Sequence, residues 1–252
     1  MSFEISERIG HTTLARITGG LYLAFMVASV GANALGHIGL GDAQQIYGAI
    51  TTSGWAFRLG LVVAFVSAFL FLMAAWGLYV LLRPVNQDLA LLFLLLNTVG
   101  VAIQCASMLQ LVSAMLMVDV GGGLPSFQAA QSEAMAQLAI NVYRTGFVTA
   151  QLFFGTWLFP LGYLVYKSGL LPRFLGVLLI LDGVAEMIWF LQALLLPAYP
   201  QIKVPGTFVS LLAEVGLALW LLIKGVKVNK PAIDSPPAPP RTGAGAGDKG
   251  TS

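Results

Sequence analysis

Three carboxylic acids, Asp182, Glu186 and Glu214, fall inside stretches of sequence that are otherwise continuously apolar. Asp182 and Glu186 are four residues apart, so on a helix they share one face, and Trp189 continues that face one turn further. Glu214 has Thr207 and Ser210 along its own stripe. An ionisable group in hydrocarbon costs several kcal/mol unless it is paired, neutralised or wet. The chemistry open to such acids is uptake of a proton, a cation or the cationic part of a small amphiphile. A carboxyl pair could also act as acid and base on a lipid-like substrate. That enzyme reading ranks last, because no nucleophile, metal set or oxyanion donor accompanies the acids, and no catalytic residue is assigned.

The expected countercharges, Arg58 and Arg144, enter at the outer ends of the second and fourth apolar blocks. Other polar stripes could face the same interior: Ser29, Asn33 and His37 at four-residue steps, Asn97 with Gln104, and Arg144 with Gln151 and Gly155. Together they predict an outward-facing polar cavity. Its rim would carry His37, Arg58 and Arg144, its floor Glu186, Glu214 and Asp182, and Trp189 would wall it. Each group also has a plainer reading. Arg58, Arg144 and His37 lie near enough to the interface to snorkel. Hydroxyl and amide stripes serve as interhelical hydrogen bonds worth about 0.6 kcal/mol each. Gly19, Gly20, Gly31, Gly155 and Gly162 let helices approach closely, and Trp189 packs. The acids resist such a reading best, since three carboxyls face two distant arginines. The competing class is a structural or regulatory protein that holds lipid or a partner helix, with its acids locked in ion pairs.

Cys105 is the single cysteine, and His11 and His37 are the two histidines. They are too few for a disulfide, an iron–sulfur cluster, a bis-histidine haem or a zinc site, so no cofactor and no metal is expected. The expected partners are the lipid bilayer and a small ligand or ion, with no nucleic acid.

These residues need a scaffold, and composition specifies its solvent. With 58% hydrophobic and 10% charged residues, 252 residues cannot form a soluble domain. A bilayer core takes roughly 20 apolar residues per helix. Spans are predicted at about 18–40, 58–82, 89–118, 143–166, 174–196 and 207–226. The fold class is therefore all-α: a polytopic bundle of six transmembrane helices, with short interfacial helices on the outer side. Residues 1–17 form an N-terminal segment, 18–226 the membrane domain, and 227–252, rich in Pro, Gly, Ala and charge, a disordered tail. Arg8, Arg16, Arg83, Lys167, Arg173, Lys224, Lys227 and Lys230 fall on one side of this topology and Arg58, Arg144 and Lys203 on the other. The positive-inside rule then puts both termini in the cytoplasm of a bacterial inner membrane. A cleaved leader ending near Ala32-Asn33-Ala34 is disfavoured, because the apolar run continues past it to complete a span.

On the outer side, Asp42 and Gln45 have the spacing of an N-cap and its partner, so residues 42–50 are expected to form a short helix over the bundle. Residues 126–142 place Phe127, Met135, Leu138 and Val142 at near-helical spacing and predict a second outer helix on the membrane surface. Trp76, Tyr79, Trp157, Tyr163, Tyr166, Trp189 and Trp220 are expected in an aromatic belt at the span ends.

Several motifs recur in a known order: Ala15 to Leu23 (ARITGGLYL), Phe57-Arg58-Leu59-Gly60, Tyr79 to Asn86 (YVLLRPVN), Leu161 to Leu164 leading into Ser168 to Val177 (SGLLPRFLGV), and Glu214 to Leu222 (EVGLALWLL). On these the chain resembles the bacterial multi-pass family catalogued as domain of unknown function 4386, over nearly its whole length except the tail. The resemblance implies a multi-pass membrane protein and no particular activity. Members often carry an arginine early in the third span, where this chain has Leu96-Asn97-Thr98.

Overall fold

The computed structural model describes residues 2–120 and 129–226, which form seven α-helices and one 3-10 turn without a strand. They are α1 (Ser2–Gly36), α2 (Ala43–Thr52), α3 (Gly54–Leu82), α4 (Gln87–Val120), α5 (Ala129–Ser168), α6 (Arg173–Leu195) and α7 (Val204–Ile223), with the 3-10 turn at Pro200–Lys203. Six of these, all but α2, are long and apolar enough to cross a bilayer. Their outward faces are apolar as lipid requires, with Val62, Val66 and Phe69 exposed on α3 and Phe208, Leu211 and Leu212 on α7. The protein is a multi-pass helical membrane protein. The tail from residue 227 and residues 126–128 of the expected outer helix lie outside the described residues.

The spans form a ring in chain order. α1 packs on α3, α3 on α4, α4 on α5, α5 on α6 and α6 on α7, and α7 returns to α1. The short connections after α3 and α5 enforce α3–α4 and α5–α6 as antiparallel neighbours. The α1–α2 connection turns through His37, which takes a left-handed backbone at φ 55°, and Gly39 at φ 105°. α2 starts at a full capping box: the Gln45 N–H donates to Asp42 Oδ1 at 2.8 Å and the Asp42 N–H donates to Gln45 Oε1 at 2.9 Å. Below, α2 presses Ile46 and Ile50 into a core shared with α4 and α5.

Two expectations are revised. Residues 129–142 do not form a separate surface helix but continue into the fourth span as a single 40-residue α5. No Gly or Pro interrupts the chain from Ala129 to Thr145, and Ala136, Ala139, Ile140 and Tyr143 are buried against the α4 and α2 side chains. At 1.5 Å per residue α5 is about 60 Å long, roughly twice the hydrocarbon thickness. Its first turns therefore belong to a cap at the α2 end of the bundle. Trp157, expected in the aromatic belt, is instead buried at the centre, edge-on to Phe71 at 5.3 Å and to Phe93 at 6.1 Å.

Several helix contacts are backbone on backbone. On α5 and α6 two glycines each, seven residues apart, meet as antiparallel pairs, Gly162 with Gly176 and Gly155 with Gly183. A Cβ on Gly162 would stand 2.7 Å from the Gly176 carbonyl oxygen, and one on Gly176 would stand 2.6 Å from that of Gly162. Gly19 makes the equivalent contact between α1 and α7, where a Cβ would lie 2.6 Å from the Leu222 nitrogen. Gly20 and Gly31 meet only ordinary side-chain contacts at 3.8 Å.

Backbone atoms cannot yield as a flexible side chain can. Gly176→Ala should therefore lower unfolding free energy by about 1–3 kcal/mol, whereas Gly20→Ala should be nearly neutral, as read by denaturant unfolding in detergent micelles. A second prediction comes from Asn97, which is 0% exposed on α4 and has neither amide atom hydrogen-bonded within the protein. Asn97→Leu should raise stability by about 1–3 kcal/mol, the cost of an unsatisfied buried polar group, seen as a higher midpoint in the same titration.

Candidate functional site

All six spans contribute to a cavity of about 520 Å³ inside the ring, a size within the roughly 300–1,000 Å³ range of small-molecule sites. α1 supplies Ser29 and Asn33, α3 Ser67, α4 Gln104, α5 Gln151, α6 Glu186 and α7 Glu214. Between these polar groups stand six aromatic rings, Phe25, Phe71, Tyr143, Phe147, Phe154 and Trp189. Glu186 lies nine residues from the end of α6, hence roughly 13 Å below the α2 end and near the middle of a core about 30 Å thick.

The carboxyls are organised by one hydroxyl. Ser210 of α7 donates to Asp182 Oδ1, and Glu186 Oε1 lies 3.2 Å from the same Ser210 oxygen. A hydroxyl has a single proton, so the second contact is a hydrogen bond only when Glu186 supplies the hydrogen. Asp182 is fully buried and stands behind the cavity wall, whereas Glu186 and Glu214 line it. On the far side the Tyr22 hydroxyl lies against the Glu214 carboxyl, short of hydrogen-bond geometry.

Other acceptors have no protein partner at all. Asn33 Oδ1 and Glu186 Oε2 are buried and unpaired, and both residues line the cavity. The Ser29 and Ser67 hydroxyls are satisfied instead. Ser67 donates to the Phe25 carbonyl at 3.2 Å, which leaves Ser29 as the donor in the 2.7 Å bond between the two serines.

Ile38, Gly39 and Leu40 of the α1–α2 connection also line the cavity. They are tied to α5 by the Gly39 N–H, which donates to the Tyr143 hydroxyl at 2.8 Å. A second pocket of about 190 Å³ adjoins at the α2 end and shares Gly39, Leu40, Phe147 and Trp189 with the first. It contains Arg144 and Lys203, and the Lys203 ammonium stands 4.9 Å from the Trp189 ring centre.

The sequence-derived residues thus separate into groups. Glu186, Glu214 and Trp189 meet in the main cavity, Asp182 joins them through Ser210, and Arg144 occupies the adjoining pocket. Arg58 stands apart, ion-paired with Asp119 at 2.5 Å, both side chains about half exposed. His37 lines neither pocket and serves the turn after α1. The residues missed from the sequence are Tyr22, Tyr143, Lys203 and Asp119. Asp119 had a signal, since an acid at the end of the third span falls at the same membrane level as Arg58. Tyr22 had none, because an aromatic residue in an apolar helix looks the same whether or not an acid faces it.

A closed ring of six spans around a carboxyl-floored, aromatic-walled cavity defines a polytopic helical membrane protein with an interior site. The family model described as Domain of unknown function (DUF4386) matches residues 17–225, and the chain belongs to that family. An uncharacterized protein of Archaeoglobus fulgidus is 29% identical over 161 residues, covering 62% of this chain and 77% of that protein. No solved structure matches the chain.

Exposure of the Arg58–Asp119 pair sets its worth. A double-mutant cycle of Arg58→Gln and Asp119→Asn should give a coupling of about 0.2–1 kcal/mol that fades with added salt.

Proposed function

We propose that this protein binds a small organic cation, with an ammonium group held at Glu186 and Glu214 and its apolar part against the cavity's aromatic rings. The observation that carries the reading is the pair of unpaired acceptors, Asn33 Oδ1 and Glu186 Oε2, on two residues that line a cavity together with six aromatic side chains. An ammonium offers several donors to such oxygens, and aromatic faces attract the same charge. A chelated metal ion fits less well, since no group of three or more His, Cys, Asp or Glu side chains among the described residues could hold one. Protons compete with the cation for the carboxyl oxygens, so binding and protonation are linked, and by reciprocity each weakens the other. This is the behaviour of a binding or transport-related protein.

The orientation belongs to the same proposal. Arg16, Arg83, Lys167, Arg173 and Lys224 gather at the end opposite α2, against Arg58, Arg144 and Lys203 at the α2 end. The excess supports cytoplasmic termini in a bacterial inner membrane, with the cavity and its adjoining pocket toward the outside.

One observation favours a structural reading: Ser210 links α7 to two acids of α6 and so clasps the helices together. The two readings separate in one experiment. Thermal unfolding of the purified protein in neutral detergent is followed at pH 8 and pH 5 with octylammonium as probe, for wild type, Glu186→Gln, Glu214→Gln and Asp182→Asn. Ligand binding predicts saturable stabilisation of the wild type, stronger at pH 8, and its loss in Glu186→Gln and Glu214→Gln variants that remain folded. The structural reading predicts variants markedly less stable at pH 8 and no saturable effect of octylammonium on any of the proteins.

A further inference from the structure

The adjoining pocket at the α2 end has a charge character opposite to that of the main cavity. Its two charged side chains, Arg144 from α5 and Lys203 from the 3-10 turn, are both cationic, and no carboxylate lines it. Among the described residues neither has a carboxylate within ion-pair distance. The two cations are close enough to act on one another electrostatically. Like charges gathered round a small pocket repel, and a bound anion relieves that repulsion.

Lys203 is held by an aromatic contact. Its ammonium rests over the Trp189 ring, 4.9 Å from the centre, and Trp189 is held in turn against Phe147 with ring centres 6.1 Å apart. These two rings form part of the wall common to both pockets. The lip is apolar and open: Leu40, which lines both pockets, is 69% exposed, and Val30, which lines the main cavity, is 70% exposed. An arginine, a lysine fixed over an aromatic ring and an exposed apolar lip suit a phosphate joined to an apolar body.

We propose that the Arg144–Lys203 pocket is an anion subsite for a phosphate group, supplied by the headgroup of a membrane amphiphile whose apolar part lies along the Leu40–Val30 lip. The subsite is built from Arg144 and Lys203 rather than from the carboxyls, and although Glu186 also acts electrostatically on Lys203, its test does not require the organic-cation reading to hold.

The test uses the purified full chain in neutral detergent, with thermal unfolding and tryptophan fluorescence as readouts. The probes are lysophosphatidylglycerol, inorganic phosphate and monoacylglycerol, the last carrying a chain without phosphate. The wild type and Arg58→Gln, which removes a cation at the same end but outside the pocket, should be stabilised saturably by lysophosphatidylglycerol and not by monoacylglycerol. In the double variant Arg144→Gln with Lys203→Gln the affinity should fall at least ten-fold. Stabilisation by inorganic phosphate as well would keep the subsite and make free phosphate an equal source. Equal effects of monoacylglycerol and lysophosphatidylglycerol on the wild type would overturn the proposal without any variant, and so would undiminished affinity in a folded double variant.

Discussion

In lipid, helices gain little by hiding apolar side chains from one another, because the surrounding acyl chains are equally apolar. Association then depends on how closely backbones can approach, and in this bundle the glycine seam between α5 and α6 is such a close approach at two successive points. With Gly155 on Gly183 and Gly162 on Gly176, the two helices touch through main-chain atoms at two points one heptad apart. The seam also sets the register of the acids. Gly183 is the neighbour of Asp182 in sequence, and a Cβ at Gly155 would meet the Glu186 Cβ at 3.1 Å. The same contact that holds α6 on α5 therefore turns the Asp182–Glu186 face toward α7, where Ser210 bridges the acids. Moving the seam by one residue would rotate that face by about 100°, breaking the Ser210 bridge.

Closure of the ring is the second constraint. Gly19 lets α1 meet α7 near their Leu222 end, while Tyr22, Phe25 and Phe71 stack between α1 and α3, with Phe25 and Phe71 at 4.3 Å. Phe71 in turn meets Phe154 and Trp157 of α5. Tyr22, Phe71 and Trp157 belong to one buried core, and this aromatic group reaches up to the cavity. The cavity is thus not a gap in poor packing. Phe25, Phe71 and Phe154 of the stack form part of its wall, and beside them the helices present Ser29, Asn33, Gln104, Gln151, Glu186 and Glu214.

How much of this could be read from the sequence follows from what each signal reports. Apolar block length reports membrane thickness, so the six spans were legible to within a few residues at most ends, and the Asp42–Gln45 spacing correctly announced α2 because a capping box is a local device. The segment 129–142 was misread as a separate helix because its polar face resembles a surface connector. Its burial is against α2 and α4, and such tertiary contacts leave no trace in local pattern. For the site, the i,i+4 rule put Asp182, Glu186 and Trp189 on one face without help. Pairing was legible only as a shared membrane level: the partner of Arg58 is Asp119, a span away in sequence, and the cation beside Trp189 is Lys203 on the following connection. One-dimensional spacing orders residues along a helix, whereas the choice of partner is made by the angle at which helices cross.

The two pockets acquire a joint meaning from the distribution of charge. Arg144 and Lys203 stand at the α2 end and the carboxyls near mid-depth, with Phe147 and Trp189 between them. Lys203 lies within electrostatic range of Arg144 on one side and Glu186 on the other. In a low-dielectric interior such charges influence one another over distances at which water would screen them. An anion seated at the α2 end would weaken the repulsion that a cation meets on its way to Glu186, and a cation at Glu186 would leave Lys203 freer to engage the anion. Occupancy of either pocket should therefore favour occupancy of the other by the same factor, so the partition of Phe147 and Trp189 separates two subsites without isolating them.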